Sequence, residues 1–283
     1  MGTATSQTIT KYYDRYKDIS VTFTKEVIKA TGLVTSQVYL KCVGQTWPCV
    51  IYSASFTGAK VIVNARSGLF DKIQKANNLV SLRWSFKEPG KQDPYMFFVS
   101  AKSAGHVPHG NSPDFAMLTI NYTQRPPDDL IETVGRLLDA NVNSARRREE
   151  RILLTVDALR RLSLRAKETA VYIQGVPRKC ILRDISFSGA KIIMMGVPKY
   201  LVDREAALLV EFEDPHENML IKGKTIRAEE VEGRKDLIAL GLVFDQTTVP
   251  MTYKMRINDY LSFVRADTRT QDAQQQDSET NEE

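Results

Sequence analysis

The stretch Arg161-Leu-Ser-Leu-Arg-Ala-Lys-Glu-Thr-Ala-Val-Tyr-Ile-Gln-Gly-Val-Pro-Arg-Lys-Cys-Ile-Leu-Arg-Asp-Ile-Ser-Phe-Ser-Gly189 decides the reading of this chain. Two arginines open it. Thr169 to Gln174 is rich in β-formers, Gly175-Val-Pro177 is a tight turn, and an apolar run returns towards Asp184-Ile-Ser-Phe-Ser-Gly189. The pattern predicts a strand hairpin with arginines before it and an acid, a hydroxyl and a glycine after it. Guanidinium forks suit phosphate oxygens and the O6/N7 edge of guanine. The Asp184 carboxylate can accept N–H donors from a guanine edge, Ser186 can give a hydroxyl, and Gly189 allows close approach to the backbone. Such groups suit a small anionic guanine nucleotide.

An RxxxR followed by (D/N)xSxxG resembles the signature of PilZ domains, small β-barrels that bind the bacterial second messenger cyclic di-GMP. The matching residues are Arg161, Arg165, Asp184, Ser186 and Gly189, with Arg160 as an extra basic residue just upstream. The resemblance covers residues 151–264. It implies a ligand site made of Arg160, Arg161, Arg165, Asp184, Ser186 and Gly189, with cyclic di-GMP as ligand and no metal. Either half of the signature alone is weak, because RxxxR is common in a basic chain and DxSxxG can be an ordinary turn.

The chain has 283 residues, which exceeds one small barrel and suggests two domains. Hydrophobic residues make up 42%, enough for real cores, and the net charge of +5 points only weakly to anionic partners. No run of about 18 apolar residues is present, so no membrane insertion is expected. The N-terminus has no secretory pattern, and the myristoylation-like Met1-Gly-Thr-Ala-Thr-Ser6 lacks a polybasic patch after it. Three cysteines, Cys42, Cys49 and Cys180, are an odd count in apolar runs; they read as buried hydrophobes of a reducing, cytoplasmic protein.

A repeat organises the rest. Cys49-Val-Ile-Tyr-Ser-Ala-Ser-Phe-Thr-Gly-Ala-Lys-Val-Ile-Val63 aligns without gaps on Cys180-Ile-Leu-Arg-Asp-Ile-Ser-Phe-Ser-Gly-Ala-Lys-Ile-Ile-Met194. Two copies of one strand–turn–strand unit imply two barrels of one design. The chemistry is not copied: Ser53 stands at the place of Asp184, and Ala30 and Val34 at those of Arg161 and Arg165. The arrangement is similar to two-domain PilZ proteins whose first domain keeps the fold without the ligand.

The expected fold is therefore mainly β: two small PilZ-like barrels joined by a helical linker, with a closing helix and a disordered acidic tail. Residues 1–124 form the first domain, 125–150 a charged helical linker, 151–264 the PilZ domain and 265–283 the tail. In the first domain, residues 1–10 read as loose, and strands are expected at 37–43, 48–53, 58–63, 80–86, 95–100 and 115–122. His106 and His109 read as a solvated loop rather than a metal site, and Trp84 as core. In the linker, Leu130, Val134, Leu137, Leu138 and Val142 share a helical face, and Arg146 to Arg151 read as a solvated face or interdomain tether, with a phosphate-binding role as the less favoured alternative. In the second, strands are expected near 206–212, 219–227 and 237–244. A closing helix over 249–264 shows Ile257, Tyr260, Leu261 and Val264 on one face. The tail has no apolar residue larger than alanine.

There is no GxSxG, Walker loop, HExxH or helix-opening GxGxxG, so no enzyme is read. The resemblance implies a second-messenger receptor acting in motility, biofilm formation or virulence through an unidentified protein target such as the motility machinery. Arg161 and Arg165 adjoin the charged connector, where their mutual repulsion is expected to keep the segment mobile, so a ligand with two phosphates is expected to order it and change the interdomain arrangement. The alternative is a nucleic-acid-binding β-barrel, suggested by the basic stretch beside a barrel.

Overall fold

The computed structural model describes residues 5–110 and 112–280; the side chains of residues 235 and 268–280 lie outside the description. The chain divides into two compact units, Met1–Asp139 and Ala140–Glu283. The elements of the first are α1 (Ser6–Tyr16), β1 (Val21–Thr22), α2 (Lys25–Thr31), β2 (Tyr39–Cys42), β3 (Gln45–Pro48), β4 (Val50–Ala54), β5 (Gly58–Asn64), α3 (Leu69–Lys75), β6 (Leu79–Phe86), β7 (Tyr95–Pro108), β8 (Phe115–Tyr122) and α4 (Asp128–Arg146), whose last turns enter the second unit. The second contains β9 (Ile152–Leu153), α5 (Val156–Leu162), β10 (Glu168–Ile173), β11 (Val176–Ile185), β12 (Gly189–Met195), α6 (Pro198–Leu201), β13 (Glu205–Phe212), β14 (Glu217–Val231), β15 (Arg234–Phe244) and α7 (Met251–Thr280).

The fold is mainly β, as the strand patterning requires. In the second unit β10, β13, β14, β15, β12 and β11 follow one another, and β11 pairs back onto β10, so six strands close a barrel with β9 added outside β11. Leu182, Ile192, Leu208, Val210, Phe212, Ile221 and Leu240 alternate inward and are almost fully buried. The first unit has the order β1-β4-β5-β8-β7-β6-β2-β3, a curled sheet over Leu40, Val61, Leu82, Trp84, Phe86 and Leu118. Its strand equivalent to β11 is interrupted at Cys49, which divides it into β3 and β4.

The duplication extends beyond the repeated hairpin. Every pairing in β4–β5 recurs 131 positions later in β11–β12, including the bulge that skips Tyr52 in one and Arg183 in the other. The β2–β3 register recurs in β10–β11 at the same offset. Thr24 and Thr155 cap α2 and α5 through their side chains, and Gly32 and Ser163 end them in the left-handed conformation. At the hairpin tips, Val43-Gly44 and Gln174-Gly175 both have positive φ, as a two-residue turn of primed type needs. The second turn thus lies at Gln174-Gly175, and Val176 and Pro177 already belong to β11.

Several elements differ from the sequence reading. Residues 6–10, expected to be loose, begin α1, because the Thr5 hydroxyl accepts from Thr8 N–H and Ile9 and Tyr16 bury one face. The linker helix is not only a tether: Leu130, Ile131, Val134, Leu137 and Leu138 are buried, and Tyr16 donates a 2.7 Å hydrogen bond to Asp139. His106 lies inside β7, stacked on Phe70 with centroids 3.7 Å apart. The closing helix is present in α7, where Tyr253, Ile257 and Leu261 form the buried stripe; Tyr260 is half-buried and Val264 exposed. α7 runs on into the segment expected to be disordered, whose side chains from 268 and whose last residues, 281–283, lie outside the described residues.

Candidate functional site

The site is built at the open end of the β11–β12 hairpin. The bulge at Arg183 re-aims the end of β11, leaving Asp184 largely buried at its rim. Ser186-Phe187-Ser188 form the connection. Ser186 N–H donates to Gly189 C=O at 2.8 Å, and the Ser186 hydroxyl accepts from Gly189 N–H at 3.1 Å and Ser188 N–H at 3.3 Å. Tyr253 of α7 donates to the Ser186 carbonyl at 2.8 Å, entirely out of solvent, and burial drives its hydroxyl pKa strongly upward. Gly189 faces Leu242: a Cβ there would stand 2.1 Å from the Leu242 carbonyl oxygen. Both residues therefore serve the turn and the sheet before any ligand arrives. The first unit supports this, since it keeps Ser55 and Gly58 in the same roles. Ser55 accepts from Thr57 N–H, and a Cβ on Gly58 would lie 2.5 Å from Ile120 O.

The arginines are placed by two different elements. Arg160 and Arg161 sit at the end of α5, where both donate to Asp157, at 2.8 and 2.6 Å. These bonds, Arg161's first, hold the Asp157 carboxyl below its ordinary pKa. Arg161 also stacks on Phe263 of α7 at 4.1 Å. Ser163 turns the chain, Leu164 bridges to Phe212, and Arg165 lies 3.3 Å from Glu211. The structure does not join these three arginines to Asp184. Arg160 and Arg161 share Asp157 and Arg165 faces Glu211, so nearby carboxylates offset the positive charge of all three.

The partner of Asp184 comes from the run read as a solvated tether. β9 pairs beside the end of β11, Leu153 opposite Asp184 and Ile152 opposite Ile185. This register brings Arg151 Nη1 to 2.5 Å from Asp184 Oδ1. The preceding residues form a strap. The Ser188 hydroxyl donates to Arg148 C=O at 2.8 Å and lies 3.1 Å from a Glu149 carboxylate oxygen. Glu150 pairs with Arg265 of α7, and Asn143 donates to Asn258 at 2.8 Å. Arg147-Arg-Glu-Glu-Arg151 is itself an RxxxR, a second match to the spacing that is legible in the sequence. Among the described residues there is no group of three His, Cys, Asp or Glu that could hold a metal ion.

Residues 7–141 match the PilZN3 domain and residues 145–263 the PilZ domain. A Treponema denticola protein named "Cyclic di-GMP binding protein" is 45% identical over 267 residues, which span 94% of this chain and 85% of that one. The chain belongs to the PilZ family. Its PilZ match begins at 145 and so takes in the strap Arg147–Arg151 together with Asp184, whereas the PilZN3 match runs through the first part of α4. The chain is also similar to the solved Borreliella burgdorferi PlzA protein in complex with c-di-GMP, at 25% identity and TM-score 0.41 over 90% of this chain and 98% of that one. Similarity to the Bacillus subtilis inhibitor of motility, MotI/DgrA, is 13% with TM-score 0.30 over 82% and 97%.

Proposed function

We propose that this chain is a receptor for cyclic di-GMP, and that the strap arginines Arg147 and Arg151 form the site with Asp184 on the Ser186–Gly189 turn. The observation that carries the reading is the Arg151–Asp184 pair, which joins a phosphate-binding fork to a base-reading carboxylate at one edge of the barrel. Arg151 is half-exposed, so a dianionic ligand can reach its guanidinium and take it over while its guanine takes the carboxylate. Membership of the family and the name of the 45% identical relative support the ligand. The chain then acts as a receptor and not as an enzyme.

Arg160, Arg161 and Arg165 are the second reading of the phosphate site. Their partners Asp157 and Glu211 are exposed or half-buried, so these pairs too are exchangeable. Under either reading the ligand grips the segment between α4 and β10 and replaces its present ties to Asp184, Asp157 and Glu211. That exchange changes the interdomain arrangement and presents a surface to a protein partner. A cytoplasmic role in motility, biofilm formation or virulence follows from that proposal.

Calorimetric titration of the full chain with cyclic di-GMP tests the ligand. Saturable heat is expected; no heat at millimolar ligand defeats the reading.

A further inference from the structure

The eight strands β1 to β8 of the first unit contain no aspartate and no glutamate. They carry four cations, Lys41, Lys60, Arg83 and Lys102. In the second unit β10, β11, β13, β14 and β15 all carry acids. The two sheets share strand order and register, so the fold does not demand this difference.

The outer face of β2, β6 and β7 gathers rings and charges. Tyr39 pairs with Arg83, which pairs with Phe98 on the next strand. The Arg83 guanidinium lies 5.0 Å from the Tyr39 ring centre, and Lys41 Nζ 5.8 Å from that of Phe98. The rings meet edge to face with centroids 6.1 Å apart. Phe98 is 44% exposed and Met96 beside it 59%. Among the described residues Arg83 has no carboxylate partner: one of its terminal nitrogens points at the Met96 sulfur, and its Nε, buried, has no acceptor there. An open depression of about 500 Å³ adjoins the face, lined by Lys41, Gly44, Leu79, Ser81, Phe98 and Ser100. By register, Leu209 and Leu220 of the second unit stand where Arg83 and Phe98 stand, and Tyr172 where Lys41 stands. The cation–aromatic set is therefore particular to the unit that lacks the ligand arginines.

We propose that this face of the first unit binds single-stranded nucleic acid, a function separate from the ligand site of the second unit. Exposed rings offer stacking surfaces to bases, which is tolerant of sequence. Cations without carboxylate partners attract the phosphate backbone with no competing acid in the strands. The groups spread across three strands rather than closing around one small molecule, which favours an extended polyanion. Ser81 and Ser100 supply hydroxyls to sugar or phosphate. An acidic peptide would use the cations but leave the rings idle; a lipid surface would bury both rings and Met96 together.

The test uses the full chain and a fluorescein-labelled oligothymidylate or oligouridylate of roughly 16 nucleotides, the upper site size of small β-barrel binders. Anisotropy should rise with a dissociation constant of about 1–100 µM near physiological salt and weaken steeply as salt is added. Lys41→Ser and Lys102→Ser should each flatten the log–log salt slope by roughly 0.7, the single-strand increment per phosphate contact. Phe98→Ala should weaken binding about ten-fold, as loss of one stacked base does, while Leu220→Ala on the equivalent face of the second unit changes nothing. Thermal melts of each variant confirm folding, and a surface change such as Lys41→Ser keeps the test open if Phe98→Ala unfolds. The proposal is overturned by absence of binding at low salt, or by equal effects of Phe98→Ala and Leu220→Ala. It is equally overturned by thymidine monophosphate binding as tightly as the oligomer, or by phosphatidylglycerol vesicles or polyglutamate binding where the oligomer does not.

Discussion

Arg151 and Asp184 lie 33 positions apart in sequence and 2.5 Å apart in space. The contact exists because Leu153 pairs with Asp184 across β9 and β11 and sets Arg151 at the rim of the barrel. The pair is thus assembled by strand register.

The first prediction separates the two arginine pairs. Arg151→Ala should weaken cyclic di-GMP by roughly 10- to 100-fold, the loss of one or two charge-assisted bonds at about 1.5–3 kcal/mol each. Arg161→Ala should weaken it several-fold less. Calorimetry on both decides; the reverse order would move the phosphate site to the end of α5.

Asp184→Ala should weaken the ligand more than Asp184→Asn, because the amide oxygen still accepts from a guanine edge. Equal losses would show that Asp184 serves only to hold Arg151. The readout is again the dissociation constant, with circular dichroism to confirm the fold.

Gly189→Ala should destabilise the second unit by about 1–3 kcal/mol, because its Cβ meets the Leu242 carbonyl at 2.1 Å and the strands must part. Gly58→Ala should do the same in the first unit, against Ile120 O at 2.5 Å. Urea unfolding measures both. A matching loss at Gly58, in the copy without the ligand residues, would show that this glycine belongs to the fold.

Tyr253→Phe removes the buried donor to Ser186 C=O and should cost about 1–3 kcal/mol. Denaturant titration gives the number. Unchanged stability would mean that the carbonyl finds another partner without strain.

The acid limb carries a signature at α5. Asp157 titrates below its ordinary 3.8 because Arg161 and Arg160 hold its charged form. Its contribution is complete above the unfolded value and is lost as pH falls through the lower folded value. Arg161→Ala should move the Asp157 carboxyl titration, followed by NMR, back up towards 3.8. No movement would mean that Arg160 alone holds it.

The sequence by itself determined the architecture. Period-two strands, turn residues and the gap-free match of residues 49–63 to 180–194 encode two copies of one hairpin, because alternation and turn chemistry are local properties. The loss of Asp184 and the later arginine pair from the first copy was equally legible. Four helices escaped: α1, α2, α5 and α6 are short, and the Thr5, Thr24 and Thr155 caps of the first three gain meaning only when one face is buried. The partners of the two arginine pairs were not legible either. RxxxR occurs at 147–151 and at 161–165, and spacing treats the two alike. Tertiary structure separated them: α5 ties Arg161 to Asp157, whereas the β9–β11 register sets Arg151 against Asp184. Only the closed sheet showed that Gly189 meets Leu242 and that Tyr253 reaches Ser186. A spacing along the chain fixes which residues share a face, but which face meets which is settled by the pairing of strands far apart in sequence.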